Sequence, residues 1–117
     1  MNIAVYGDGK EKEMLSAAVS ALPDCCYRSV DIAAFSNYDG FVAYICKSPP
    51  DCVVITKDGA DGMEGVIAVK SSLESIPVIW LSNDNGFGAQ SYRLGCTYFH
   101  KKPVSAEILS AAIAKCV

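Results

Sequence analysis

Short apolar runs rich in β-branched residues alternate along this chain with segments whose apolar residues recur at helical spacing. The apolar runs predict five strands, at residues 2–6, 27–35, 52–56, 76–81 and 97–100. The helical spacing predicts five helices, at residues 10–22, between Asn37 and Pro49, at 62–72, at about 87–94 and after Ser105. Alternation of this kind is typical of an α/β fold, in which helices cover both faces of a doubly wound, five-stranded parallel sheet.

Three predicted helix ends carry capping signals. Ser36–Asn37 and Ser105 offer N-caps, because their side-chain oxygens accept hydrogen bonds from free backbone N–H groups. Gly95 follows the fourth helix, where a glycine adopts the left-handed conformation that ends many helices.

Polar residues follow the predicted strands at their carboxyl ends, which is where open α/β sheets bind ligands. These ends are Gly7–Asp8, Thr56–Lys57–Asp58, Ser82–Asn83 and Lys101–Lys102–Pro103. The strands themselves are apolar at nearly every position, which predicts burial on both faces of the sheet. We therefore expect the functional site at the carboxyl edge.

Size and charge exclude several classes of protein. A chain of 117 residues fits one domain, 1–117, and its net charge of -3 comes without a basic stripe that would bind nucleic acid. No apolar run approaches the roughly 18 residues that a membrane span needs, and the N-terminus lacks a signal-peptide layout. We expect a cytoplasmic protein with no membrane contact.

Six cysteines suggest a disulfide or metal framework until their spacing is considered. They are Cys25, Cys26, Cys46, Cys52, Cys96 and Cys116. No CxxC pair occurs among them, and the single histidine, His100, has no partner at a spacing typical of metal ligands. We predict six free thiols and no metal site.

Four stretches in order identify a family that the chain resembles. They are MNIAVYGD, PDCVVIT with GMEG after it, IPVIWLSN, and YRLGCTYFHKKPVSAEIL. Together they resemble a response-regulator receiver (CheY-like) domain of the LytTR/AgrA-type subgroup, over the whole chain. The resemblance implies a five-stranded parallel sheet of order 2-1-3-4-5 with five helices, and a role in two-component signal transduction and transcription regulation.

The resemblance also assigns roles to residues at the carboxyl edge. Such receivers carry an acidic pair after the first strand, a phosphoacceptor Asp after the third, a Ser or Thr after the fourth, and a Lys–Pro after the fifth. In this sequence those positions hold Gly7 and Asp8, Thr56, Ser82 and Lys102, and the aromatic switch position holds Phe99. One metal-binding carboxylate and the phosphoacceptor are therefore replaced.

These replacements change the chemistry expected of the site. Phosphoryl transfer to a receiver needs an in-line carboxylate and Mg²⁺, whereas Thr56 is a poor nucleophile without a base. Asp8 and Lys102 carry opposite charges, so we expect them to bond to each other and to leave no need for a metal. We predict a non-enzymatic pseudo-receiver with no catalytic residue and no cofactor, Mg²⁺ included, which acts by protein–protein contact without aspartyl phosphorylation.

Two other functions stay open. Asp58 lies two residues after Thr56 and offers a rescue phosphoacceptor, in which case the chain is a phosphorylatable receiver that uses Mg²⁺. A flavodoxin-like module that binds FMN or another small ligand has the same fold class. The glycines at 59, 62 and 65 lack the GxxxxGK[ST] pattern of a phosphate loop, and we interpret them as turn residues.

Aromatic and cationic residues cluster in the last third of the chain, a composition suited to a protein interface. The interface candidates are Tyr92, Arg93, Tyr98, His100 and Lys101. They predict a self-dimer through the fourth helix, fifth strand and last helix, or docking to an output domain or kinase. In LytTR-type regulators a DNA-binding domain follows the receiver, so we expect one beyond Val117 if the chain is the N-terminal part of a longer regulator.

Overall fold

The computed structural model describes residues 2–7, 15, 17–18, 31–73, 75–83, 88–101 and 105–114. Five strands form one sheet: β1 (Asn2–Tyr6), β2 (Asp31–Phe35), β3 (Cys52–Ile55), β4 (Val78–Ser82) and β5 (Tyr98–Lys101). All neighbouring strands are parallel and their order is β2-β1-β3-β4-β5. The predicted α/β architecture and its strand order are confirmed.

Four helices have described bounds: α1 (Tyr38–Lys47), α2 (Gly59–Ser72), α3 (Gly88–Arg93) and α4 (Ala106–Ala114). The helix predicted at residues 10–22 lies mostly outside the described residues, although Leu15, Ala17 and Ala18 have helical backbone there. None of the helices within the described ranges combines the length and the apolar character that crossing a membrane requires.

The three predicted helix caps are present. The Asn37 side chain accepts a hydrogen bond from the Gly40 N–H at 2.9 Å and begins α1. The Ser105 hydroxyl accepts from the Ile108 N–H at 3.2 Å and begins α4. Gly95 has φ of 78°, which favours glycine, and its N–H donates to the carbonyl of Tyr92 at 3.1 Å beyond the end of α3.

Both faces of the sheet are covered, as the apolar strands predict. β3 and β4 are buried at every position, which places them at the centre of the molecule. One apolar core, with Val5, Val54 and Leu109 among its members, lies on one face of the sheet. The other core contains Tyr6 and Trp80 and packs beneath α1 and α2. These two cores hold the carboxyl edge of the sheet in place.

Helix α2 begins at Gly59, three residues before the predicted start, and this corrects the interpretation of its glycines. Only Gly59 has the left-handed backbone of a turn, with φ of 60°. Gly62 and Gly65 are helical and buried. A Cβ at Gly62 would overlap the carbonyl oxygen of Lys57 and lie 2.6 Å from Nε1 of Trp80. These two glycines therefore let the helix approach the sheet closely.

A matched pair of glycine substitutions tests this packing. Gly62→Ala forces the buried face of α2 away from the Lys57 carbonyl, so we expect the free energy of unfolding to fall by about 1–3 kcal/mol. Gly40→Ala is the control, because a Cβ there meets only ordinary van der Waals neighbours at 3.8 Å and beyond. Alanine has a higher helix propensity than glycine, so Gly40→Ala should raise the free energy of unfolding by up to about 1 kcal/mol. Urea unfolding followed by Trp80 fluorescence measures both, and equal effects would contradict the close approach.

Candidate functional site

The carboxyl ends of β1, β3 and β4 bring three of the predicted site residues to one edge of the sheet. The Gly7 N–H donates to the Phe35 carbonyl, and the Thr56 N–H donates to the Tyr6 carbonyl, both at 2.8 Å. Ser82 is fully buried as the last residue of β4, so it belongs to the sheet and not to the loop. Asp8 and Lys102, with the bond predicted between them, lie outside the described residues.

Thr56 follows β3 directly and is only 2% exposed. Its hydroxyl donates to the carbonyl oxygen of Tyr6 at 3.4 Å, so this side chain lies against the backbone of β1. A neutral, buried hydroxyl thus occupies the end of the central strand. The Thr56 side chain fills the space at the strand end, and its hydroxyl is hydrogen-bonded. It brings neither a negative charge nor a carboxylate that could bind a metal.

Asp58 is exposed and stands immediately before α2. Its side chain makes no hydrogen bond to the helix that it precedes, although its backbone has the extended conformation of an N-cap. Its Oδ1 atom instead accepts the Asn83 N–H at 2.9 Å. Asp58 therefore connects the loop after β3 to the residue that follows β4, across the carboxyl edge.

Tyr6 is a member of the site that the sequence patterns did not assign. It ends β1 and is only 5% exposed, and its ring stacks on Phe41 with centroids 5.0 Å apart. Tyr38 meets the same ring edge-on at 6.1 Å, and Nζ of Lys57 lies 5.6 Å from the ring centroid, within cation–π range. In the sequence, the one feature that could have indicated Tyr6 is its place as a single aromatic residue at the end of an otherwise aliphatic strand, just before Gly7.

Charges around Tyr6 affect the protonation of its hydroxyl. Burial raises the pKa of the Tyr6 phenol above its ordinary value, although the Lys57 ammonium lowers that pKa. The carboxylates of Asp61 and Glu64 raise it further. The phenol therefore keeps its proton at neutral pH and can donate a hydrogen bond.

Phe99, at the aromatic switch position, pairs with Trp80 across the sheet. It is half-buried, and its ring meets the Trp80 ring edge-on with centroids 5.3 Å apart. The fully buried Trp80 side chain thus lies between Phe99 on β5 and Gly62 on α2. The contact between the Trp80 and Phe99 rings connects β4 to β5.

The interface candidates divide into exposed and half-buried residues. Tyr92 is 86% exposed, and Arg93 and Lys101 are also exposed. Tyr98 and His100 are half-buried and stack on the same face of β5, with ring centroids 6.1 Å apart and an interplanar angle of 7°. An interface through this part of the chain stays a prediction.

The cysteines that the structure describes are Cys46, Cys52 and Cys96, and all three are free thiols. Burial raises the pKa of Cys96 to about 11, so its thiol stays protonated and unreactive at neutral pH. Cys25, Cys26 and Cys116 lie outside the described residues. Among the residues described, no three His, Cys, Asp or Glu side chains are grouped so that they could hold a metal ion.

Solved structures with the same fold include several response regulators. A response regulator from Desulfuromonas acetoxidans is 28% identical and has a TM-score of 0.70, over 97% of this chain and 94% of that one. Chemotaxis response regulator CheY4 of Vibrio cholerae is 19% identical, with a TM-score of 0.75 over 99% and 97%. A protein provisionally named CpaE2, for pilus assembly, from Sinorhizobium meliloti is 20% identical, with a TM-score of 0.74 over the full length of both chains.

These neighbours define the fold of the chain as the CheY-like fold of response-regulator receiver domains, with its sheet order of 2-1-3-4-5. No protein-family model matches the sequence, and neither does any curated protein.

The described residues supply only part of the ligand set for the Mg²⁺ that the receiver resemblance implies at this edge. Gly7 has no side chain, and Thr56 offers a hydroxyl that is bonded to a backbone carbonyl. Asp58 is the one described carboxylate in the loops after β1, β3 and β4, and its Oδ1 accepts a backbone N–H. Mg²⁺ is normally held by one or two carboxylates together with substrate phosphates. The described residues supply one carboxylate, which is already hydrogen-bonded, so we derive no step that uses the metal.

The bond between Asp58 and Asn83 can be tested by two substitutions. Asp58→Ala removes the acceptor, so we expect the Asn83 amide hydrogen to exchange with solvent about fivefold faster. Asp58→Asn keeps an oxygen acceptor in the same place, and its exchange rate should stay close to that of the unmodified chain. Hydrogen exchange followed by NMR measures both rates. Equal rates in all three proteins would show that the bond does not hold this loop.

Proposed function

We propose that the chain is a receiver-like module of signal transduction that acts through protein–protein contact, without phosphorylation of an aspartate. The observation that carries the proposal is Thr56, buried and hydrogen-bonded to the Tyr6 carbonyl at the end of the central strand. In the receivers that the sequence resembles, this position holds the phosphoacceptor carboxylate. Here its place is taken by a neutral group.

The chemistry of a threonine at this position argues against phosphoryl transfer. A hydroxyl becomes a useful nucleophile only when a neighbouring base takes its proton. The Thr56 hydroxyl faces a carbonyl oxygen, which accepts a hydrogen bond but is not a base. At 2% exposure the side chain also has little surface at which a phosphodonor could reach it.

The comparisons support signal transduction at the level of the fold. The similar proteins named as response regulators suggest a role of this chain in two-component signalling. The pilus-assembly neighbour shares the fold over its full length, so the fold does not by itself require one activity. Membership of the LytTR/AgrA-type subgroup and a role in transcription regulation are finer parts of the proposal, and they rest on the sequence resemblance.

Asp58 carries the second candidate function, that of a phosphorylatable receiver. In its favour, the carboxylate is exposed at the carboxyl edge, where a phosphodonor could approach. Against it, Oδ1 already accepts the Asn83 N–H, and the residue stands at the start of α2, outside the strand end that receivers use. We favour the structural role.

Protein partners would supply the output of such a module. We propose that the interface candidates of α3 and β5 contribute, because Tyr92 and Arg93 are exposed and combine an aromatic ring with a cation. A second copy of the chain, an output domain and a kinase are all consistent with that surface.

Phosphorylation is tested directly by incubating the chain with acetyl phosphate and Mg²⁺, followed by intact-mass measurement. We expect no added phosphoryl group, because the described carboxyl edge lacks an acceptor in the strand-end position. A response regulator known to accept phosphoryl groups from acetyl phosphate serves as the positive control. In the same samples, Mg²⁺ should leave the fluorescence of the buried Trp80 unchanged.

Two outcomes would contradict the proposal. An added phosphoryl group that disappears in Asp58→Asn would establish the second candidate function. An added group that persists in that variant would reveal a different acceptor and would equally overturn phosphorylation-independent action.

A further inference from the structure

Strand β2 forms one edge of the sheet, and its outer side carries backbone groups without partners. The Phe35 carbonyl accepts the Gly7 N–H, so the backbone groups of Phe35 point toward β1. Alternate residues of a strand direct their N–H and C=O groups to the same side, so Ala33 also faces β1, whereas Ile32 and Ala34 face outward. Among the described residues, none forms a hydrogen bond with the N–H or C=O of Ile32 or Ala34.

The sequence of β2 does not protect this edge. Edge strands commonly carry lysine, proline or a bulge, each of which hinders the pairing of a further strand. β2 has the sequence DIAAF, in which Asp31 is the one charged residue, and it pairs with β1 residue for residue without a bulge. Ala34 is exposed and Ile32 is half-buried. The outer side of β2 is therefore open to an added strand.

Apolar side chains lie beside the edge on both faces of the sheet. Phe35 and Tyr44 are half-buried on the α1 side, with ring centroids 4.9 Å apart. Ile32 packs against the core on the opposite face. A strand added to β2 would make main-chain hydrogen bonds and would also cover part of these side chains, which is how strand addition usually gains its affinity and specificity.

We propose that β2 pairs with β2 of a second copy of the chain, antiparallel and about a two-fold axis at Ala33. Ile32 of one copy then lies opposite Ala34 of the other, so that the outward N–H and C=O groups of both residues gain partners. Ala33 faces its counterpart in a pair without hydrogen bonds, where side chains come closest and a small residue avoids crowding. A symmetric contact of this kind is complete with two copies.

The position of Asp31 favours the antiparallel arrangement. In a parallel pair of the same strands the two Asp31 carboxylates would be adjacent and would repel each other. In the antiparallel pair they lie at opposite ends, about 14 Å apart, which exceeds the Debye length at physiological salt. Both the outward backbone groups and the charge of β2 thus match a second copy of the same strand.

Pairing at β2 goes beyond the proposed function and does not depend on phosphoryl chemistry. β5 forms the opposite edge of the sheet. Two copies joined at β2 would therefore carry their interface candidates on α3 and β5 at the two ends of one continuous sheet. A partner with two binding segments could engage both ends at once, which raises its apparent affinity.

Sedimentation velocity over a concentration series measures this dimerisation. A pair of five-residue strands is small for a protein interface, so we expect a Kd of about 0.1 mM. Hydrogen exchange followed by NMR locates the contact. At a chain concentration of about ten times the Kd, the amides of Ile32 and Ala34 should exchange about fivefold more slowly than in the monomer. The Ala33 amide faces β1 in both states, and its exchange rate should stay unchanged.

A charge-swap experiment tests the two-fold geometry. Ala34→Lys and Ala34→Glu each place two like charges about 7–8 Å apart across the pair, so each should raise the Kd about tenfold or more. An equimolar mixture of the two variants should dimerise again, because the charges then have opposite sign. Ala111→Lys makes the same change at an exposed alanine of α4 and should leave the Kd unchanged. Well-dispersed amide spectra verify that each variant is folded.

Three results would overturn the proposed pairing. A chain that stays monomeric up to about 1 mM would exclude a second copy and leave the edge to a strand of another protein. A dimer whose Ile32 and Ala34 amides exchange as fast as in the monomer would be joined at another surface. A dimer that both Ala34 variants leave intact would equally exclude β2 as the contact.

Discussion

The close contact between α2 and the sheet determines the geometry of the described part of the carboxyl edge. Gly62 rests against the Lys57 carbonyl and the Trp80 ring, and Gly65 rests against the ring of Tyr6. No other residue type would leave room for this contact, because a Cβ at either position would lie closer to its neighbours than real contacts allow. The contact fixes the start of α2 beside the carboxyl ends of β1 and β3.

Its functional consequence is a carboxyl edge built largely from packed rings. Tyr6 and Trp80 occupy the space beneath α2, and Phe99 continues the aromatic packing onto β5. Thr56 completes the end of the central strand with a hydroxyl that is satisfied by a backbone carbonyl. The described part of this edge is thus held together by packing and by hydrogen bonds to backbone groups. A cluster of carboxylates would instead need a metal to offset its mutual repulsion.

The strands and caps were predictable because their causes are local. Apolar runs such as 52–56 and 76–81 can only be buried, and Asn37, Ser105 and Gly95 act on backbone groups within a few residues. The strand order followed from the family resemblance, and the structure confirms it. Local patterns therefore gave most of the architecture in advance.

The details of the site were less predictable because they depend on residues far apart in the chain. Gly62 and Gly65 looked like turn residues, since a sequence shows a glycine but not the ring or carbonyl that it faces. In the sequence Asp58 stood out as a candidate phosphoacceptor, yet its Oδ1 accepts the N–H of Asn83, 25 positions away. Tyr6 gave no motif at all, and its position became meaningful only with α2 packed above it.

We propose that this edge does not bind a phosphoryl group. Beryllofluoride with Mg²⁺ mimics a phosphoryl group on a carboxylate, and amide NMR spectra of the labelled chain report binding without any covalent step. We expect the amide signals of Gly7, Thr56 and Asn83 to stay where they are at saturating beryllofluoride. Saturable shifts of these signals, spreading to Phe99, would contradict it and would show a working phosphoryl switch.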